Sequence, residues 1–333
     1  MRWVFALALL AQPAMAEIYV TDGSANGSPP NRISVWSDTA NGNPPPLRRI
    51  VGARTGIGNG SNGLSDIITI SSRQEILVAN NSLFRIQSFQ LGANGDALPL
   101  RELQLNGQPK GLAYIPLTDE IVVAPANFSA LHFHSRSATG NAAPTRTISG
   151  SNTGIGSIPT DIVYLFGLDQ IAVSDYVPGD LNFAKRIQVF ARTASGNVAP
   201  VRVIQGAATQ LALCNARSAG ITTDNTGTEI IIGCFNQVLT FSATANGDVA
   251  PVRRIAGFAT TLSGVSDVAF LFGEQGQPST LVVTQFSGST SLARFDASAN
   301  GDVAPLSTLS STALTQARSV ATETITLLQD GYE

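Results

Sequence analysis

Three aspartates each open an apolar run of β-type residues: Asp66-Ile67-Ile68, Asp161-Ile162-Val163 and Asp267-Val268-Ala269. Carboxylates gathered in one place suit calcium, which takes roughly 6–8 oxygen ligands in flexible geometry. Without a cation they repel, and their pKa values rise. A second oxygen-bearing set, Asp22, Asn80, Asp175 and Gln285, closes other apolar runs. If both sets meet at one end of neighbouring strands, Asp66, Asp161 and Asp267 become candidate ligands of a bound Ca2+. Asp22, Asn80 and Asp175 then become candidate contacts of a ligand or partner. A plainer role competes, because aspartate at a strand start readily accepts hydrogen bonds from nearby backbone. Lys110 and Arg318 stand one residue before the matching positions Gly111 and Ser319. They could neutralise the carboxylates or meet a ligand themselves.

Other constellations are weaker. His132 and His134, two apart, share one face of a strand, but the chain holds only 2 histidines, so packing competes strongly with zinc. Gly58-Asn59-Gly60-Ser61-Asn62-Gly63 matches G-x-G-x-x-G. Dinucleotide binding needs a helix after that loop, and Leu64-Ser65-Asp66-Ile67-Ile68 reads as a strand, so the segment is expected to be a linker. No G-x-S-x-G or H-E-x-x-H occurs. No catalytic residue is assigned, and the sequence leans against an enzyme without excluding one.

The elements that position these residues come from a repeat. Ala40-Asn41-Gly42-Asn43, Ala93-Asn94-Gly95-Asp96, Ala138-Thr139-Gly140-Asn141, Ala194-Ser195-Gly196-Asn197, Ala245-Asn246-Gly247-Asp248 and Ala299-Asn300-Gly301-Asp302 are six copies of one string, about fifty residues apart. Each precedes a proline, and five of the six are followed by an arginine: Arg48, Arg101, Arg146, Arg202 and Arg253, with Ser307 as the exception. Within a unit, alternation and β-branched residues mark four short strands separated by Gly, Asn, Asp or Pro. Residues 160–164, 170–174, 186–190 and 201–204 illustrate the pattern.

Four antiparallel strands repeated six times predict an all-β, six-bladed β-propeller. The run Glu17–Val20 reads as a second strand with no first strand before it, while Ala317–Thr322 is a spare first strand. The C-terminal strand should therefore pair with the N-terminal blade and close the ring. The string falls between strands three and four. A turn on the lower rim is its expected role, with a lower-face binding signature as the competing one. Ligand binding is expected on the opposite, upper face, where the aspartates open their strands. The long upper loop Tyr176–Lys185, with Asp180 in it, is a candidate partner contact.

The strand-one start, followed by I-x-V-[AS]-[DN] and R-I-x-V-F, resembles the NHL-type propeller repeat, and the string is similar to a variant common in exported bacterial propellers. The resemblance spans the chain after residue 16 and implies binding or scaffolding of a protein or small ligand. Six-bladed lactonases and related hydrolases, which hold a catalytic calcium through Glu, Asn and Asp, give the alternative activity. This chain has no glutamate at the aligned mouth positions.

The N-terminal Met1–Ala16 carries Arg2, an apolar stretch and Ala14-Met15-Ala16, the pattern of a cleaved secretory signal peptide. Residues 17–333 are then one propeller domain, exported to the periplasm or the medium and expected to be monomeric. Charged residues make up 13% of the chain and its net charge is −3, which argues against nucleic acid as a partner. No later apolar run is long enough for membrane insertion. In an exported protein Cys214 and Cys234 can form a disulfide, with two buried thiols as the alternative.

Overall fold

The computed structural model describes residues 16–23, 30–58, 63–177, 185–214, 220–273, 278–286, 291–310 and 314–323. These form six four-stranded antiparallel sheets arranged as the blades of a propeller. Blade 1 contains Ala317–Thr322, Glu17–Asp22, Arg32–Ser37 and Arg48–Ile50, in spatial order from first to fourth strand. Blade 2 contains Leu64–Ile70, Glu75–Asn80, Arg85–Gln90 and Arg101–Gln104. Blade 3 contains Pro109–Ile115, Glu120–Pro125, Ala130–Ser135 and Arg146–Ser149. Blade 4 contains Asp161–Leu165, Gln170–Tyr176, Lys185–Ala191 and Arg202–Ile204. Blade 5 contains Ile221–Thr223, Glu229–Cys234, Gln237–Ser242 and Arg253–Ala256, and blade 6 Val265–Leu271, Thr280–Gln285, Ser291–Asp296 and Ser307–Leu309. Ring closure is as expected: Val20 pairs with Val320 and Ile18 with Thr322. Among the described residues only short 3-10 turns interrupt the strands, and no helix is long and apolar enough to cross a membrane.

The core lies between the blades. Each seam encloses its own apolar cluster, such as Ile187, Ile204, Ile230 and Phe241 between blades 4 and 5. One large side chain on each third strand packs into the preceding blade. Register identifies it as Trp36 opposite Ile18, Phe89 opposite Ile76, Phe190 opposite Ile171, Phe241 opposite Ile230 and Phe295 opposite Leu281. In blade 3 the residue opposite Ile121 is His134. It is buried, and neither ring nitrogen has a hydrogen-bond partner. Burial and neighbouring His132 push its pKa down to about 4.

The repeated string does not form a simple rim turn. It leaves the lower end of the third strand and runs along the fourth strand of the preceding blade. Gly42, Gly95, Gly140, Gly196, Gly247 and Gly301 make parallel bridges to Leu309, Ile50, Leu103, Ile148, Ile204 and Ile255. Asp248 Oδ1 accepts from Ala208 N at 2.7 Å, and Asp302 Oδ1 from Ala259 N at 2.7 Å. Those carboxylates occupy the space over Gly206 and Gly257, whose φ values of 135° and 132° suit glycine. The arginine that follows the string pairs with a glutamate opening the second strand of its own blade: Arg48 with Glu17, Arg101 with Glu75, Arg146 with Glu120, and Arg253 with Glu229. Blade 4 substitutes Gln170 for the acid. Blade 6 lacks both partners, with Thr280 and Ser307 in their places.

Candidate functional site

The upper face is the face on which every first strand begins. The ring of strand openings there reads Ser319, Asp66, Gly111, Asp161, Gly220 and Asp267 from blade 1 to blade 6. The three aspartates are 5–8% exposed. Each clamps two blades through backbone. Asp66 Oδ1 accepts from Ile67 N at 2.7 Å and its Oδ2 from Leu112 N of blade 3 at 2.6 Å. Asp161 accepts from Ile162 N at 2.8 Å and Ile221 N of blade 5 at 2.7 Å. Asp267 accepts from Val268 N at 2.7 Å and Val320 N of blade 1 at 2.9 Å.

The alternation has a steric cause. Each ring residue projects toward the ring residue of the next blade. A Cβ on Gly111 would come within 2.5 Å of Asp161 Cα. One on Gly220 would overlap Asp267 Oδ1 and come within 2.7 Å of its Cα. An aspartate can therefore reach past its neighbour to the next strand only when that neighbour is small, and the small residue in turn leaves room for the following aspartate.

Ser319 completes the ring. Its Oγ stands 2.8 Å from Asp66 Oδ1 and 2.6 Å from Asp267 Oδ2, and receives Ile67 N at 3.3 Å. A hydroxyl has one proton to donate. It can donate to only one of the two carboxyls, so the other must donate to it and must itself be protonated. The electrostatics agree. Burial, then the charge of Asp267, raises Asp66 to about 7. Burial raises Asp267 to about 6. Burial and both other aspartates raise Asp161 well above its ordinary value. The ring thus holds a shared proton near neutrality.

The oxygens of these aspartates are engaged within the fold. Their oxygens already receive backbone N–H groups, Ser319 fills the space between two of them, and the described residues contain no group of three or more His, Cys, Asp or Glu arranged to hold a metal ion.

The residues that end the second strands latch the linker entering their own blade. Asp22 Oδ1 accepts from Thr315 N at 2.9 Å and Gln316 N at 2.6 Å, and Asp22 pairs with Arg32. Asn80 Nδ2 donates to Ile57 O at 3.0 Å. Asp175 Oδ2 accepts from Gly156 N at 2.6 Å, and Gln285 Oε1 from Ser263 N at 2.5 Å. At this position blade 5 carries Cys234, which forms a disulfide with Cys214 in its linker, Cα to Cα 4.5 Å. A covalent latch replaces the hydrogen-bonded one in the blade whose first strand is only 3 residues long.

Asp180 and four of the six residues of Gly58–Gly63, 59–62, lie outside the described residues. Lys185, at the edge of the long upper loop, is buried. Its Nζ lies 3.6 Å from the centre of the Tyr176 ring and donates to Thr160 Oγ1 at 3.1 Å. Burial lowers its pKa to about 7, against the opposing pull of Asp175 and Asp161. Among the described residues neither Lys110 nor Arg318 forms an ion pair with Asp66, Asp161 or Asp267, and Arg318 Nη2 donates to Gln316 Oε1 at 3.4 Å. His132 and His134 lie edge to face, ring centres 6.4 Å apart, in the seam between blades 2 and 3.

Sequence reasoning missed the second-strand glutamates that hold the arginines, although every such strand in blades 1, 2, 3 and 5 opens on Glu. It also missed the phenylalanines on the upper turns between second and third strands, although those turns were expected to bind. Phe84, Phe128, Phe235 and Phe286 occupy these turns in blades 2, 3, 5 and 6 and are 41–44% exposed. Phe84 and Phe235 adopt positive φ, 54° and 38°, a conformation that is costly for a bulky side chain.

No known family profile and no curated protein matches the chain. Solved structures do. A chain of a nidogen/laminin complex is 12% identical with a TM-score of 0.59, over 93% of this chain and 98% of that one. A functionally unknown protein from Desulfotomaculum acetoxidans DSM 771 is 12% identical with a TM-score of 0.56, over 92% of this chain and 85% of that one. The β-propeller domain of Myceliophteria thermophila Cps50 (Swd1) is 11% identical with a TM-score of 0.54, over 88% of this chain and 82% of that one. At such identities the likeness establishes the fold, and the chain is a six-bladed β-propeller.

Proposed function

We propose that this chain is an exported propeller of the NHL type that binds a partner protein on its upper face. The observation that carries this reading is the set of four half-exposed phenylalanines on equivalent upper turns. Exposed aromatics rimmed by polar residues are the usual anchors of protein interfaces. Two of these four stand on left-handed backbone, where glycine or asparagine would fit at lower cost, and strain of this kind concentrates at functional positions. The ring and the second-strand latches spend their polar atoms on backbone, which leaves the turns to make contacts. Export is supported by the pattern of Met1–Ala16 and by a disulfide suited to an oxidising compartment.

The test is affinity capture from the periplasmic and culture fractions of the source cells, using wild type and the variants Phe84→Ser, Phe128→Ser and Phe235→Asn. Capture of a defined protein by wild type, reduced at least tenfold in the variants while their melting temperatures hold, is the expected result. Equal capture by all of them would move the binding surface elsewhere. An N-terminal sequence beginning at Glu17 in the recovered protein would establish cleavage, and one beginning at Met1 would exclude it.

A further inference from the structure

At their lower ends two neighbouring seams carry the same set of polar residues and close differently. Between blades 2 and 3, Tyr114 OH donates to Asp119 Oδ1 at 2.8 Å, and Asp119 receives Arg136 Nε at 2.8 Å. Arg136 Nη1 then crosses to Glu75 of blade 2 at 3.0 Å. Between blades 3 and 4 the chain repeats the set one blade on, with Tyr164, Asp169, Arg192 and Glu120. Tyr164 OH donates to Asp169 Oδ1 at 2.8 Å, and Arg192 Nε to the same oxygen at 2.6 Å. The last link is missing. Among the described residues Arg192 pairs with Asp169 and not with Glu120.

An open cleft of about 490 Å³ occupies that place, lined by Thr118, Glu120, Ser135 and Thr145 with Arg146 and Arg192. Its volume lies within the roughly 300–1,000 Å³ of small-ligand sites. We infer that this lower-rim cleft binds a sugar residue, a neutral polyhydroxylated ring. The walls carry no net charge, because Arg146 pairs with Glu120 and Arg192 with Asp169. A ligand there must donate to one wall and accept from the other, and a sugar hydroxyl does both.

The acceptor wall is Glu120. A carboxylate has about four lone-pair sites. Glu75 fills them with two nitrogens of Arg101 and two contacts from Arg136. Glu120 receives Thr118 Oγ1 at 2.8 Å, Thr145 Oγ1 at 3.2 Å and Arg146 Nη2 at 3.2 Å, which leaves one site for a ligand hydroxyl. The donor wall is Arg192, whose terminal nitrogens make no hydrogen bond among the described residues. The hydroxyl lining is particular to this seam. The residue before the fourth strand is Leu47, Leu100, Val201, Val252 or Leu306 in the other blades, each 49–58% exposed, and Thr145 in blade 3. Two residues before the glutamate, blade 2 has Arg73, which reaches toward Asp119 at 3.6 Å, and blade 3 has Thr118. The cleft lies on the face opposite the phenylalanine turns and does not depend on the reading proposed above.

The test is saturation-transfer NMR of the purified chain with D-glucose, D-galactose, D-mannose and N-acetyl-D-glucosamine, each as the free sugar and as its methyl glycoside. Saturable binding of at least one is expected. Binding of a glycoside assigns the site to the terminal residue of a glycan, and binding of the free form alone assigns it to a free sugar. Thr145→Leu, which restores the residue of blades 1, 2 and 6, should weaken binding at least tenfold while the melting temperature holds. Thr118→Arg, which copies Arg73, should do the same by filling the cleft. No binding of any sugar, or undiminished binding in both variants, would overturn the inference. So would an equally strong response to sodium acetate, which would mark a bare anion site.

Discussion

The outer seams of the propeller are built six times from one device, whereas the inner ring of strand openings alternates between aspartate and a small residue. Both do the same work, joining one blade to the next through backbone. They differ in room. On the outside each string has its own strip of neighbouring fourth strand, so the glycine bridge recurs at every seam. At the centre six strands converge, and each carboxylate occupies the space that its neighbour's side chain would need. Threefold chemistry within sixfold architecture therefore arises from packing, and does not by itself signal a metal site.

Removing one inner clamp should be far costlier than removing one outer latch. Asp161→Ala leaves Ile162 N and Ile221 N without acceptors in a dry site, and should cost about 4 kcal/mol at roughly 1–3 kcal/mol for each orphaned group. Denaturant unfolding measures it, and a loss similar to that of an outer variant would end the distinction. The covalent latch ranks next. Cys214→Ser with Cys234→Ser releases a loop closed over a separation of 20 residues, an expected loss of about 3 kcal/mol.

A third variant should move the other way. His134 stands where five blades place Trp or Phe and leaves two ring nitrogens without partners. His134→Phe should raise stability by about 1–2 kcal/mol, by filling the position with the aromatic used elsewhere and removing unpartnered polar atoms. It should also reduce acid sensitivity. With the folded pKa lowered to about 4, the stability that depends on neutral His134 is fully present above its ordinary pKa of 6.5 and is lost as pH falls toward 4.

The ring has the opposite sign. Asp66 and Asp267 are raised to about 7 and about 6, so the stability linked to their protons is fully present below 3.8 and is lost as pH rises through 6 to 7. Melting temperature measured between pH 5 and 8 should fall across that window. A rise would show that the ring carries no shared proton. The smallest effect belongs to the outer seam. Asp248→Ala removes one acceptor, that of Ala208 N, at an exposed site and should cost about 1 kcal/mol.

Much of this was legible in the chain. The string counted the blades, the spare strand Ala317–Thr322 predicted closure, and the departures at Asp66, Asp161 and Asp267 marked the ring. The cysteine pair was legible too, as one of two alternatives. The seam role of the string was not. Its turn chemistry is local, while its hydrogen bonds reach the fourth strand and linker of the preceding blade about forty residues back: Gly247 N donates to Val203 O, and Asp248 Oδ1 accepts from Ala208 N.

By itself the sequence determined blade number, strand order and the means of ring closure, because these follow from period, alternation and turn residues along a single strand of chain. Only the tertiary structure decided what the polar residues do. It turned Asp22, Asn80 and Asp175 into linker latches and the aspartate ring into a set of clamps with a proton among them. A carboxylate or an ammonium looks the same in sequence whether its partner is a backbone N–H, a second charge or a ligand, and that partner is supplied by whichever blade folds against it.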